Sequence, residues 1–377
     1  MKALVLGCGE MGKVAVSDLF RHGGYSQIVV GVRSPERARS QLSWCVLDEQ
    51  RLQFRAVDLA AETNLADLFA EFDVIVNCAG PNYKFEVPVA KAAIAARVNL
   101  VDLNDDFETT LQMYELDRAA RYAGISIIMG AGASPGVNNI LVRAAANELD
   151  EVEEIHTAWI MSAADPGGLA LSRHLLFSLS GRALTVENGQ FVEVRSFADG
   201  RERLNFPKPV GPMEVFHIGH PEPITLFRAF PGAKTIDDKA SFNPPQINDL
   251  IVRLGEMVRC ATGPIETAEG PVEAMDYAAS CLLQACRGIK GVHRDGALRV
   301  EVKGKKHGQG TRIIYTGVGR LTYGTGIPAS IAAKMLTDGH IKKKGVLAPE
   351  DCIDPDDFLE QILSRGIGEL EEEVIAC

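Results

Sequence analysis

The segment "ALVLGCGEMGK" (3–13) sets Gly7, Gly9 and Gly12 at G-x-G-x-x-G spacing, between an apolar run and a stretch with helical periodicity. That context, a strand feeding a helix through a glycine loop, is what a nucleotide pyrophosphate needs. Gly7 permits the tight turn and Gly9 lets the backbone approach the anion. Gly12 lets the helix pack close to the strand with its first N–H groups aimed at the phosphates. Glu10 and Met11 fill the same loop and are expected beside the nucleotide.

In such a unit a carboxylate usually closes the second strand, binding the ribose hydroxyls and repelling a 2′-phosphate. Here "VVGVRSPERA" (29–38) offers Arg33 and then Ser34. A guanidinium fork pairs with phosphate and stacks on adenine. Ser34 adds a hydroxyl and Arg37 a second charge, so NADP(H) is expected ahead of NAD(H). The alternative for Arg33 is a solvated loop position. Asp58, closing "RAVDL" (55–59), stands either near the adenine or at the N-cap of the next helix. In "VNCAGPNYKF" (76–85), Asn77, Ala79, Gly80 and Pro81 would line the ribose and nicotinamide side. Asn77 is equally an ordinary strand-end turn residue.

A parallel sheet is needed to hold these residues. Short apolar or β-branched runs occur at Ala3–Leu6, Gln27–Val32, Leu52–Val57, Val74–Cys78, Asn99–Leu103 and Ser126–Met129. Helical patterns separate them at Gly12–Arg21, Leu65–Glu71, Val87–Arg97 and Thr109–Tyr122. Near-continuous apolar strands joined by helical crossovers predict a doubly wound parallel sheet covered on both faces. After "GAGASPG" (130–136) the pattern changes. A helix over 138–148 and a long strand over 153–161 precede a hairpin-like "VENGQFVEV" (186–194) and the proline-rich stretch 206–223. Late strands at 298–302 and 311–318 alternate more openly, which fits a second α/β domain with a mixed sheet. From Gly326 onward the pattern reads as helical, with Pro328 in a first helical turn. The expected division is 1–130 with 326–377, and 131–325.

The chain has 377 residues and a formal net charge of −11, which argues against a general nucleic-acid binder. No apolar run approaches the length of a membrane span, and the cytosol is the default location. The acidic run "ELEEE" (369–373) reads as a solvated helix face or tail. Cysteines at 8, 45, 78, 260, 281, 286, 352 and 377 form no CxxC pair and no zinc-spaced cluster, so no metal site is expected.

The loop "GCGEMGK", with "NCAGPNYKFEVPVAKAAIAARVNLVDL" (77–103), "GASPGVNNIL" (132–141), "LFSLSGR" (176–182), "TLFRAFPGAKTI" (225–236), "GTGIPASIAAKML" (324–336) and "GVLAPEDCIDPDDF" (345–358), resembles the saccharopine dehydrogenase-like family in the family's order. The resemblance spans nearly the whole chain. It implies an N-terminal Rossmann domain, a central α/β domain that binds substrate and dimerises, and a C-terminal return to the first domain. It also implies hydride transfer at a carbon bonded to nitrogen in an amino acid or polyamine. Family members include saccharopine reductases, lysine 6-dehydrogenases and carboxynorspermidine-type reductases. The branch signals are mixed. Ser134-Pro135-Gly136 stands where saccharopine reductases often have Asp-Pro-Gly, and with Asn139 it is closer to the other two branches. Arg33-Ser34 resembles the NADP-using saccharopine reductases, and Arg182 falls where some of them grip a substrate carboxylate.

Such chemistry leaves the hydride to the nicotinamide and asks the protein for orientation and proton traffic. Asp102, at the end of the fifth strand, and His217, His220 and Glu222 in "FHIGHPEP" (216–223) are candidates for that traffic, with Tyr83 and Lys84. Asp102 could instead hold a substrate ammonium, or cap a helix within the cluster Asp102, Asn104 and Asp105. Arg173, His174 and Arg182 lie in the segment that resembles the family's substrate-binding stretch, although an exposed helix face would explain Arg173 as well. Arginine anchors would favour a polycarboxylate, whereas a cleft dominated by Asp102, Asp105 and Glu222 would favour lysine or a polyamine. A protein that binds NADPH as a sensor without turnover is the non-enzymatic alternative.

Overall fold

The computed structural model describes every residue except 46, 47, 49, 62, 63, 180 and 377. Cys377, and Ser180 within "LFSLSGR", therefore lie outside the described residues.

Along the chain the elements are β1 (Lys2–Leu6), α1 (Glu10–His22), β2 (Gln27–Val32), α2 (Pro35–Gln41), β3 (Leu52–Ala56), α3 (Leu65–Phe69), β4 (Val74–Asn77), α4 (Asn82–Ala96), β5 (Asn99–Asp102), α5 (Phe107–Glu115), α6 (Asp117–Ala123), β6 (Ser126–Ile128) and α7 (Val137–Asn147). There follow β7 (Glu151–Ser162), α8 (Leu169–Ser178), β8 (Arg182–Glu187), β9 (Gln190–Arg195), β10 (Glu202–Asn205), β11 (Pro212–His217), α9 (Glu222–Ala229), β12 (Thr235–Asn243), α10 (Gln246–Cys260), a hairpin of β13 (Ile265–Thr267) and β14 (Gly270–Val272), and α11 (Ala274–Gly288). The last elements are β15 (Gly296–Lys306), β16 (Gln309–Gly319), α12 (Leu321–Thr337), β17 (Gly345–Leu347), α13 (Pro349–Cys352), α14 (Pro355–Ser364) and β18 (Glu369–Ala376). The chain forms two compact units, Met1–Ile140 with Thr322–Gly366, and Leu141–Leu321 with Ile367–Cys377.

The first unit carries a seven-stranded sheet in the order β17-β6-β5-β4-β1-β2-β3, parallel at every pairing. This is the doubly wound arrangement, with the reversal of strand order between β1 and β4. Leu4, Leu6, Ile75, Leu100 and Ile127 from four of the strands pack with Phe69, Val89, Ala93 and Met113 from the helices on one face. Burial on both faces explains why these strands read as continuous apolar runs.

The second unit carries a nine-stranded mixed sheet, β10-β11-β12-β7-β15-β16-β18, with the β8–β9 hairpin attached to β12. β12 and β7 run parallel and the other pairings are antiparallel. Helices α8, α10 and α11 cover one face through Leu175, Leu176, Ile251, Ala278 and Leu282, packed on Met161, Ala240 and Phe242. The β8–β9 turn is Asn188-Gly189, both at positive φ, the pairing that a twisted hairpin selects.

Four sequence expectations are corrected. The run 109–122 is two helices, separated at Leu116. Residues 345–347 form the seventh parallel strand, too short to register as one. The acidic "ELEEE" belongs to the edge strand β18, paired along β16; the open edge of β16 selects extended backbone, and the glutamates remain in solvent. Finally, α12 starts at Leu321, which places Pro328 inside the helix instead of in its first turn. Within the added turns Gly326 lies flat on α1. A Cβ there would stand 2.6 Å from the Met11 carbonyl oxygen and 2.8 Å from the Val14 Cβ.

Candidate active site

The glycine loop has the geometry its sequence implies. Gly7 sits at φ +85°, and a Cβ there would come within 2.8 Å of the Cys78 carbonyl oxygen. A Cβ on Gly12 would stand 2.3 Å from the Gly7 carbonyl oxygen, whereas nothing lies within 4 Å of one on Gly9. The loop is therefore pressed against the end of β4 at Gly7, closed on itself at Gly12, and open at Gly9, where an anion would approach. Gly9 is the N-cap of α1 without any side-chain cap, which leaves the first-turn N–H groups to a ligand. These residues fit a nucleotide pyrophosphate. Glu10 turns away from this task and pairs with Lys13 at 2.7 Å, while Met11 faces α12 through its backbone.

At the end of β2, Arg33 and Arg37 are exposed, and among the described residues neither guanidinium has an ion-pair partner. Ser34 caps α2, its Oγ accepting from the Arg37 backbone N–H at 3.4 Å, with Pro35 next. Asp58 does not cap the next helix, whose N-cap is Asn64. Its Oδ1 accepts from the Ala60 N–H at 3.0 Å, a short Asx turn that keeps the carboxylate at the surface.

The ends of β4 and β5 hold a linked polar chain. Asn77 donates through Nδ2 to Asp102 Oδ2 at 2.7 Å and accepts on Oδ1 from the Ala79 N–H at 3.2 Å. The other Asp102 oxygen accepts from the Asn104 N–H at 2.6 Å. Asn77 is thus more than a turn residue, because it ties the 77–81 loop, with Gly80 and Pro81, to β5. Asp102 is buried, and that burial, opposed by the bonds from Asn77 and Asn104, pushes its carboxyl up to about 7. Beside it lies Glu86 of α4, 0 % exposed, with no donor reaching either carboxylate oxygen. Burial, and then the neighbouring Asp102, Asp106 and Asp105, push its acid well above the usual carboxylate range. Nearby, Asn82 Nδ2 donates to Asp105 at 2.7 Å and the Tyr83 N–H to Asp106 at 2.9 Å.

In the second unit the structure brings His220, Glu222 and Asp238 together and leaves His217 and Arg182 elsewhere. His220 Nδ1 lies 3.4 Å from Glu222 Oε2 and 3.6 Å from Asp238 Oδ2, all three residues being buried. Trp159 packs on the His220 ring at 5.2 Å and His174 at 5.7 Å. Asp238 accepts from Thr157 Oγ1 at 2.6 Å; its burial, then Glu222, push its carboxyl well up. The three ligand atoms of His220, Glu222 and Asp238 lie close enough together to surround a cation. His217 ends β11 opposite Lys239, on the other face of the sheet. Arg182 is exposed on the hairpin and pairs with Glu193 at 3.2 Å. Arg173 pairs with Asp276 at 2.7 Å.

Sequence reasoning missed Glu86, Asp238 and Trp159. A signal for the first was present: Glu86, Val89, Ala90 and Ala93 share the buried face of α4 at i, i+3, i+4, i+7 spacing.

A glycine cradle at the reversal point of a parallel sheet, with polar groups gathered at the strand ends, defines a nucleotide-binding protein of the Rossmann type. The particular family follows from comparison. The family profile of the saccharopine dehydrogenase NADP-binding domain matches residues 3–128, and that of the saccharopine dehydrogenase C-terminal domain matches 172–367. The chain belongs to the saccharopine dehydrogenase family and is an NAD(P)-dependent oxidoreductase. It is 22% identical to a carboxyaminopropylagmatine dehydrogenase of Synechocystis, over 97% of this chain and 96% of that one. It is 26% identical to a carboxynorspermidine synthase of Vibrio alginolyticus, over 84% of this chain and 82% of the other. Saccharopine dehydrogenase (L-Glu forming) from Saccharomyces cerevisiae has the same fold, with a TM-score of 0.68 at 16% identity, covering 100% of both chains. Among the described residues no helix is long and apolar enough to cross a membrane.

Proposed function

We propose that this chain is an NADP(H)-preferring enzyme that transfers a hydride at a carbon–nitrogen bond of a cationic amine substrate, in the carboxylated polyamine branch of its family. The carrying observation is Asp102 at the end of β5, which takes its hydrogen bonds from neutral amides and with which no basic side chain forms an ion pair among the described residues. Such uncompensated acid favours a ligand that brings its own positive charge. The arginines that could have gripped a polycarboxylate are occupied, Arg173 by Asp276 and Arg182 by Glu193. The names of the relatives point the same way.

When bound, the nicotinamide supplies the hydride. The chain's own residues bind, orient and carry protons. Gly7, Gly9 and Gly12 take the pyrophosphate, and Arg33, with Arg37, takes the 2′-phosphate. Asn77, Ala79, Gly80 and Pro81 border the nicotinamide side. Asp102, with a donor on each oxygen, orients Asn77. His220, between Glu222 and Asp238, is the group best built to move a proton. A cytoplasmic homodimer completes this reading; it rests on the family resemblance, and sedimentation equilibrium tests the dimer.

The deciding experiment follows nicotinamide absorbance with NADPH and NADH, against matched aldehyde–amine pairs and, in the other direction, against carboxylated polyamines, lysine and saccharopine. Turnover with a diamine pair and NADPH is expected. Turnover with saccharopine alone, or nucleotide binding with no turnover on any amine, would overturn the proposal. Arg33→Ala should weaken NADPH binding by about 2 kcal/mol, roughly thirtyfold, the worth of a charge-assisted bond, and leave NADH binding nearly unchanged. Equal losses for both nucleotides would remove Arg33 from the 2′-phosphate.

A further inference from the structure

Glu86 has no counterpart in the reading so far, and its placement is costly. It sits early in α4, fully buried, with both oxygens lacking a hydrogen-bond donor. A carboxylate in that position would be an unpaired buried charge, one of the most destabilising arrangements a fold can hold. Its neighbour Asp102 is different, because Asn77 Nδ2 and the Asn104 N–H each donate to one of its oxygens. Two adjacent buried carboxyls do not both ionise, and the one with donors keeps the charge while the one without keeps the proton.

We infer that Glu86 is a positioning residue: a protonated acid that donates to the Asp102 carboxylate and so holds Asn77 and the 77–81 loop in a single arrangement. The Glu86 acid would add its donor to bonds already in place, in which Asn77 Nδ2 donates to Asp102 Oδ2 and the Ala79 N–H donates to Asn77 Oδ1. The charged and titratable groups facing the pair are Asp105 and Asp106, from the loop after β5, and Cys78 at the end of β4. All are acids or a thiol, so lowering the pH neutralises the cluster without breaking an ion pair to either residue. Burial pushes the Cys78 thiol up, which leaves it neutral alongside. The part of this inference that concerns the cofactor rests on the reading of the 77–81 loop as its nicotinamide side.

The proton itself is tested without any ligand. Infrared spectra of the wild-type protein and of Glu86→Gln at pH 8 should differ by one carbonyl stretch of a protonated carboxylic acid, lost in the variant. Glutamine is isosteric and still donates, so that variant keeps its fold. A featureless difference in that region would overturn the inference. The positioning role is read from NADPH affinity between pH 6.5 and pH 9. Glu86→Gln should follow the wild-type profile. Glu86→Leu, which removes the donor, should lose about tenfold more affinity than wild type at the acid end and recover at the alkaline end, corresponding to a one-unit rise for Asp102. Equal losses in both variants at every pH would mean that Glu86 only fills space. Should Glu86→Leu fail to fold, the infrared difference with glutamine still decides. Should NADPH fail to bind to wild type, the cofactor reading falls while the infrared result continues to judge the proton.

Discussion

Asp102 in the first unit and Asp237 in the second are both buried, at 1% and 6% exposure, and their carboxyls shift in opposite directions. Around Asp102 the donors are neutral amides, burial dominates, and the carboxyl rises to about 7. Around Asp237 burial also pushes upward, but His156 Nδ1 at 2.9 Å and Lys239 at 3.7 Å more than offset it, and the carboxyl is held below its ordinary value. The His156–Asp237 pair is one part of a charged lattice over that sheet face. Lys239 reaches Glu202 at 2.6 Å, Lys303 reaches Glu154 at 2.7 Å, and Arg299 reaches Glu301 at 2.7 Å. Asp238, the next residue of β12, faces the helix-covered side instead, and its carboxyl rises. Depth alone therefore does not set the charge of a buried acid; the sign of its neighbours does. A region that supplies its own cations is built for stability, and one that withholds them is suited to a cationic ligand.

Removing the acid from the compensated region should have the largest effect. Asp237→Ala leaves His156 and Lys239 facing each other without their shared partner, and breaking such a buried pair costs about 4 kcal/mol. Urea unfolding at pH 6 should show that loss. Because burial of His156 is outweighed by Asp237 and Glu154, its basicity is raised. The stabilisation it gains from Asp237 is therefore complete below its ordinary value of about 6.5 and fades as pH climbs through its raised folded value. The penalty for Asp237→Ala should accordingly be smaller at pH 9 than at pH 6, with the Lys239 share persisting. A penalty independent of pH would remove His156 from the comparison.

Removing the acid from the uncompensated region should stabilise the fold instead of weakening it. Folded wild type holds the Glu86 proton that the unfolded chain releases above about pH 4.3. Stability therefore falls by about 1.4 kcal/mol per pH unit until the folded group itself ionises. Glu86→Gln carries no such proton. Its stability relative to wild type should grow from pH 5 to pH 7 at that slope, as measured by denaturant midpoints at each pH. Parallel pH profiles for the two proteins would show that Glu86 is already ionised in the native state, and the contrast with Asp237 would collapse.

The same contrast explains what could be read from the amino-acid order. The glycine loop and the first six strands were legible because their signals are local: φ and close approach at Gly7 and Gly12, and continuous apolar runs at each strand. The edge strand β18 was not, since "ELEEE" becomes extended only by pairing with β16, a long-range fact. Glu86 escaped because the helical pattern begins only at Val87, one residue after it. Five more N-terminal residues of helix than the pattern suggested, from Asn82 onward, turn that glutamate onto the buried face. The histidine pair in "FHIGHPEP" split because β11 ends at His217. Its ring stays beneath Gly200, whose added Cβ would meet it at 2.1 Å, while His220 passes to the opposite side.

The smallest expected effect belongs to Arg182, and it sharpens the comparison at its surface limit. Arg182 and Glu193 pair at 3.2 Å with side chains 62% and 57% exposed, on a hairpin whose register is set by backbone bonds from Arg182↔Arg195 to Glu187↔Gln190. Exposed pairs of this kind are worth less than about 1 kcal/mol, because water screens the charges and two long side chains must be ordered. Arg182→Ala should therefore shift the urea midpoint little. It should also leave the KM for an amine substrate within about twofold, the change expected when a screened surface charge is removed. A polycarboxylate anchor would behave differently: its loss would strip a charge-assisted fork from the substrate and raise KM by at least tenfold. A large KM effect with unchanged stability would thus return Arg182 to the site and move the substrate from a polyamine towards a dicarboxylic amino acid. A small one would leave the negative strand ends of the first unit as the feature that selects the substrate.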